Sequence, residues 1–214
     1  MEKIAIIDMG SNSIRFVALQ IADNGAYSFL YQEKEAIRLG HGLSVSGELS
    51  DAGMERALTC LKVYKHMMDV GDIHNCLAVA TAAVRNAKNG AAFLQRINAE
   101  TGITMEVITG EREAYLGYLG VINTINAQDF VLFDLGGASV ELSLVRGGKV
   151  EKAGSVPIGA VTLTERFNTS TDPGETALTA CREFIMEELE DVAYIAGTGL
   201  PLIGIGGTAR TFAK

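Results

Sequence analysis

Asp134 lies near the end of an apolar run, Phe130 to Leu135, and two glycines, Gly136 and Gly137, follow it. A backbone without Cβ atoms turns sharply there and brings its N–H groups close to an anion. Ser139 adds a hydroxyl, and Glu141 adds a second carboxylate seven residues after the first. A carboxylate beside amide donors suits a phosphate held together with a divalent cation. The same set occurs twice. IAIIDMGSNSIRFVAL (4–19) aligns with FVLFDLGGASVELSLV (130–145) at a constant offset of 126, so that Asp8 matches Asp134, Gly10 matches Gly136 and Ser13 matches Ser139. One position differs: Arg15 stands where the second copy has Glu141. That difference predicts a metal role for the second copy and a phosphate role for the first.

Phosphoryl chemistry needs amide cradles, a metal held by carboxylates and a group that orients the nucleophile. The cradles are Gly10, Ser11, Asn12 and Ser13 in one copy and Gly136, Gly137, Ala138 and Ser139 in the other. GIGGTAR, with Gly206, Gly207 and Thr208, offers a third. Asp8, Asp134 and Glu141 are hard oxygen donors of the kind magnesium prefers. GEREA puts Glu111 and Glu113 at the start of a helix, where the helix dipole favours their ionised forms. Two residues apart, they point to nearly opposite sides and cannot share one site. Such a carboxylate would orient and polarise water. Arg15, Arg85 and Arg210 are the cations placed to meet phosphate, whereas His41, His66 and His74 have no ligand spacing. There is no GxxxxGK[ST] loop, GxSxG turn or Cys/His nucleophile pattern.

These groups must be positioned by alternating strands and helices. Residues 3–8 read as a buried strand, and a hairpin is expected at Asn24-Gly25. A helix capped by Ser50 or Asp51 carries Met54, Ala57, Leu58, Leu61 and Tyr64 at helical spacing. CLAVAT (76–81) and ITMEVIT (103–109) read as strands on either side of a helix closed by Gly102. A further helix carries Tyr115, Leu116, Leu119 and Ile122, and NTINAQD reads as a linker. Asp172-Pro173-Gly174-Glu175 starts a helix expected to reach about Val192. LIGIG is a last strand, followed by GGTAR as a turn. The expected domains are 1–123 and 124–214.

The 214 residues are 48% apolar with a net charge of −8, which fits a globular chain and argues against binding nucleic acid through a basic face. No apolar run approaches the length that spans a bilayer, and MEKIAIIDMG reads as a strand rather than a signal peptide. Three cysteines without metal spacing fit a reducing compartment, so a cytoplasmic protein with no membrane partner is expected.

The blocks DMGSNSIR (8–15), ATAAVR (80–85), GEREA (110–114), DLGGASVE (134–141), PIGAVTLTE (157–165) and GIGGTAR (204–210), in that order, resemble the exopolyphosphatase/guanosine pentaphosphate phosphatase (Ppx/GppA) family of the actin, hexokinase and Hsp70-type superfamily. The resemblance implies an α/β fold of two ribonuclease-H-like lobes with a cleft between them. Because Lys214 follows GGTAR closely, where members of the family continue, the second lobe is expected to be truncated. It also implies removal of terminal phosphate from inorganic polyphosphate, with pppGpp as the alternative substrate, and a homodimer for the full-length protein. Glu113 falls on the glutamate that the family uses to position and activate the hydrolytic water. Asp134 and Glu141 fall on its metal- and phosphate-site carboxylates, and Asp8 on the matching aspartate of the first lobe. The three glycine-containing loops fall on phosphate loops, and Arg85 on an arginine that contacts phosphate. Ala138 departs from the glycine more usual there. A kinase of the same superfamily and a catalytically silent phosphate or nucleotide sensor are the competing readings.

Overall fold

Apolar residues at every second position turn the first two strands into one buried face. β1 (Glu2–Met9) buries Ala5, Ile7 and Met9, and β2 (Ile14–Ile21) buries Ile14, Phe16 and Ala18. The computed structural model in which they sit describes residues 1–169 and 171–213. The two strands pair antiparallel with Asp8 opposite Arg15. β3 (Tyr27–Glu35) joins them through the expected turn, in which Gly25 takes φ 83° and the Asn24 side chain accepts from the Ala26 amide. A four-residue helix α1 (Leu43–Ser46) follows.

Helix α2 (Asp51–Val70) buries Ala57, Leu58, Leu61 and Tyr64, and the Tyr64 ring stacks on Phe16 with centroids 4.8 Å apart. Ser50 is its cap: its Oγ accepts from the Gly53 amide at 3.2 Å. Replacing Ser50 by alanine is expected to cost about 1 kcal/mol, read as a lower urea midpoint at unchanged slope. An unmoved midpoint would rule that cap out as a source of stability. β4 (Asn75–Ala80) returns parallel to β1, followed by α3 (Ala82–Asn86) and α4 (Gly90–Thr101), which closes on Gly102 at φ 71°. Of the strand expected over 103–109 only β5 (Glu106–Val107) forms, at the sheet edge. The sheet order is β3-β2-β1-β4-β5.

The chain divides between Ile108 and Thr109, ahead of the boundary expected after residue 123. The reason is packing: helix α5 (Gly110–Ile122) lies on β6 (Phe130–Leu135), β7 (Val140–Arg146) and β8 (Lys149–Val156) and buries Tyr118 and Val121 with Phe130, Leu132 and Val145. The opposite face packs Val131, Val140, Leu142 and Leu144 against Phe184 and Val192. β7 is thus buried on both sides. Gly147 and Gly148, at φ 54° and 68°, form the two-residue turn into β8. Helix α6 (Ala160–Phe167) follows, then α7 (Gly174–Glu188), which is one residue short of a direct Asp172 cap; the Asp172 side chain instead accepts from the Gly174 amide at 3.2 Å. α7 gives way to a 3₁₀ segment, Leu189–Ile195, kinked at Val192. β9 (Leu202–Ile205) pairs parallel with β6, and GGTAR begins a short helix, α8 (Gly206–Phe212), instead of a turn. This sheet has the order β8-β7-β6-β9.

The sequence repeat is a structural repeat, and it extends further than the hairpin. Asp8 pairs with Arg15 and Val79; Asp134 pairs with Glu141 and Ile205. Even the bulges agree, between Ala18 and Leu19 in one sheet and Leu144 and Val145 in the other. The offset is 126 each time (134 − 8, 205 − 79, 144 − 18). GGTAR is therefore the second unit's counterpart of the ATAAVR block. The three cysteines are free thiols, and burial pushes those of Cys60 and Cys76 up. No helix among the described residues is long and apolar enough to cross a membrane.

Candidate active site

In the second unit the register of β6 and β7 sets Asp134 directly opposite Glu141. Both belong to the sheet face covered by α5, where apolar Phe130 and Leu132 give way to carboxylates as β6 nears its turn. Glu141 is 5% exposed. Its Oε1 accepts from Ser139 Oγ at 2.6 Å and from Ser155 Oγ at 2.8 Å. Ser155 is the residue opposite Glu141 on β8.

Helix α5 brings the third carboxylate. Thr109 caps it, accepting on its side chain from the Arg112 amide and on its carbonyl from the Glu113 amide. Glu113 then reaches a small pocket that Asp134, Glu141 and Ser143 also line, while Glu111 stays exposed. One of the two GEREA glutamates is in the site and the other is not, as their spacing requires. Gly110 permits this close approach, since a Cβ there would lie 2.4 Å from Ser155 Cβ.

The turn beside the pocket is held from behind. The amides of Gly159, Ala160, Val161 and Thr162 donate to the carbonyls of Ala138, Gly136, Gly137 and Gly137 respectively, at 2.8 to 3.2 Å. In a trans peptide the N–H points away from its C=O. With those carbonyls bound to the start of α6, the N–H groups of Gly137, Ala138 and Ser139 are aimed to the other side. Gly206, at φ 85°, lies so close to Asp134 that an added Cβ would be 2.3 Å from Oδ1. This brings Gly206 and its neighbours Gly207 and Thr208 to the carboxylate end of β6.

The first unit repeats the turn with Arg15 in the place of the second carboxylate. The Gly10 amide donates to the Ser13 carbonyl at 3.0 Å, as Gly136 does to Ser139 at 2.9 Å. Here the segment after β3 holds the carbonyls: Gly40 donates to Ser11 and Arg38 to Asn12. The amides of Asn12 and Ser13 therefore point away from it. Arg15 is exposed opposite Asp8, and Arg85 donates through Nη1 to the Ile108 carbonyl at 2.7 Å. Asp8 belongs to this unit, whereas Asp134 and Glu141 sit together in the second.

Among the described residues no three or more His, Cys, Asp or Glu side chains are grouped to hold a metal ion by themselves. The pair Asp134 and Glu141 nevertheless fits a cation. Like charges directly opposite on adjacent strands repel, and hard carboxylate oxygens are the donors that magnesium takes, one or two at a time with substrate oxygens completing its shell. Residue-by-residue reading did not find Ser143, Ser155 or Gly159. The signal for Ser155 was the Gly147-Gly148 turn, which fixes β8 against β7.

A family model described as the Ppx/GppA phosphatase family matches residues 19–213. The chain is 32% identical over 220 residues to the bifunctional 3-dehydroquinate synthase/phosphatase of Fusobacterium nucleatum, covering 97% of this chain and 33% of that protein. It thus spans about a third of the length of that relative. The crystal structure of an exopolyphosphatase from Cytophaga hutchinsonii superimposes with a TM-score of 0.91 at 31% identity, over 99% of this chain and 69% of the other. The Ppx/GppA enzyme of Aquifex aeolicus matches with a TM-score of 0.77 at 36% identity, over 99% and 70%.

Proposed function

This chain belongs to the Ppx/GppA phosphatase family, built as α/β units of the ribonuclease-H-like kind, and from that premise we propose that it is a phosphoric anhydride hydrolase that releases terminal phosphate from inorganic polyphosphate. The observation that carries this reading is the meeting of Glu113, Asp134 and Glu141 around one pocket beside a turn whose amides face away from α6. The similarity to a structurally known exopolyphosphatase supports the choice of substrate.

In this reading Glu113 accepts a hydrogen bond from the attacking water and takes its proton as the oxygen bonds to the terminal phosphorus. The bridging P–O bond breaks, and its electron pair leaves on the terminal oxygen of the shortened chain. Charge on the transferred phosphoryl group is met by the N–H groups of Gly137, Ala138 and Ser139, which are fixed before reaction. Gly206, Gly207 and Thr208 add donors at the start of α8. Gly10, Ser11, Asn12 and Ser13, with Arg15 and Arg85, bind phosphates of the chain in the first unit. Magnesium would be held by Asp134 and Glu141 and would supply neutralising charge there.

The test is inorganic phosphate release from long-chain polyphosphate and from pppGpp, each with and without magnesium. Magnesium-dependent release from polyphosphate is expected. Release from pppGpp alone would reassign the substrate, and release from neither would make the protein a silent sensor. Within the same assay, Glu141→Gln is expected to raise the magnesium concentration for half-maximal rate by about tenfold or more. Arg15→Gln is expected to leave that concentration unchanged and raise KM. Equal magnesium curves for both variants would remove Glu141 from the metal site.

A further inference from the structure

Ser143 lies two residues beyond Glu141 on β7, on the same sheet face, and is 1% exposed. Its Oγ has no hydrogen-bond partner among the described residues, although a buried hydroxyl left so is costly. It lines the pocket that Glu113, Asp134 and Glu141 share. The sheet itself does not call for a hydroxyl there: the equivalent position in the first unit (143 − 126 = 17) is Val17. The serine occurs in the copy that carries the glutamates. Gly117, one helical turn beyond Glu113 and so on the same side of α5, also lines the pocket and leaves it open. A side chain there would press on Ile205, whose Cδ1 is 3.2 Å from an added Cβ.

We propose that this pocket holds one buried, ordered water, distinct from the attacking water, that accepts a hydrogen bond from Ser143 Oγ and donates to the Glu113 and Glu141 carboxylates. Ser143 is then a positioning residue: through the water it fixes the Glu113 carboxylate against the sheet. The proposal rests on the hydrolase reading above. Beside Ser143 a water fits the chemistry: the hydroxyl can donate, the carboxylates can only accept, and water does both. Leu132, Ala114 and Ile205 complete the lining with hydrocarbon.

The test is a high-resolution crystal structure and steady-state kinetics of the wild type, Ser143→Ala and Ser143→Val. The wild type is expected to show one density peak within hydrogen-bond distance of Ser143 Oγ, absent from both variants. In Ser143→Ala, kcat on polyphosphate is expected to fall about tenfold, the scale on which outer-shell groups act, with KM unchanged and no rise in Tm. Ser143→Val, which restores the side chain of the first unit, is expected to lose at least as much. No density at that position, a peak there with the short octahedral ligand distances of a metal ion, or a Ser143→Ala protein with raised Tm and wild-type kcat would each overturn the proposal. Glu113→Gln separates the two readings. If it is inactive while Ser143→Ala is normal, only the water is lost; if it is fully active, the hydrolase reading itself fails.

Discussion

Glu113→Gln is expected to lower kcat for phosphate release by about 10²–10⁴-fold, the range over which a positioned general base acts. The change is nearly isosteric and removes one negative charge. The helix that carries the residue is secured elsewhere, by the Thr109 cap and by Tyr118 and Val121 in the core. Its fold and its capacity to bind the phosphate chain should therefore survive. Direct binding of non-hydrolysed polyphosphate, measured by calorimetry at unchanged Tm, separates lost chemistry from lost affinity. A variant within twofold of wild-type kcat would sink the assignment of Glu113.

Gly159→Ala is expected to damage the site from behind. The glycine has φ −69°, so alanine could adopt its backbone conformation. The obstacle is steric: the new Cβ would lie 2.3 to 2.4 Å from Ala138 C, Ala138 N and Gly137 C, all of them backbone. No side chain can swing away to make room, so the turn or the start of α6 must move. Either movement breaks the hydrogen bonds that aim the turn amides. A displacement of about 1 Å costs on the order of 10²-fold in rate, so kcat/KM should fall by at least that much, with a lower Tm. Gly71→Ala is the control. Its Cβ would lie 3.0 Å from the Met67 carbonyl and 3.2 Å from Ile73 Cδ1, so it should destabilise the first unit, but its effect on kcat/KM at temperatures where the protein stays folded should be small. Equal kinetic losses in both variants would show that Gly159 matters only for stability.

Much of this site was legible because it is written in short range. A strand, a glycine turn and a second strand are fixed by local apolar alternation and by two or three residues that tolerate the turn. The duplication then made the polar positions stand out. The helical stripes of α2 and α5 were equally plain, since their apolar residues recur at the helical period. What sequence reading missed depends on who faces whom. Ser155 matters only because β8 lies beside β7 with residue 155 opposite Glu141, and β8 itself alternates weakly. Gly159 reads as an ordinary loop glycine until α6 is packed on the turn. The sequence suggests a boundary after residue 123 because α5 looks like the last helix of the first unit in sequence order, yet its apolar stripe is buried on the second sheet. GGTAR reads as a turn from its two glycines; only the register of β9 on β6 reveals that it occupies the place of ATAAVR.

The two matched hairpins also set a sorting problem for the folding chain. Strand β1 has the register and the apolar face to pair with β7 as well as β2, and β6 could take β2 in exchange. The charges at the variable position do not decide it, because correct and exchanged pairings each give one Asp–Arg and one Asp–Glu pair. Connectivity decides it. Closing a loop of about four residues rather than one of more than a hundred saves roughly five doublings of loop length, about 3 kcal/mol in chain entropy. The tight turns that cradle phosphate are therefore also what keeps each strand with its own partner, and a circular permutation opened at residues 10–13 would give up that advantage and invite exchanged dimers.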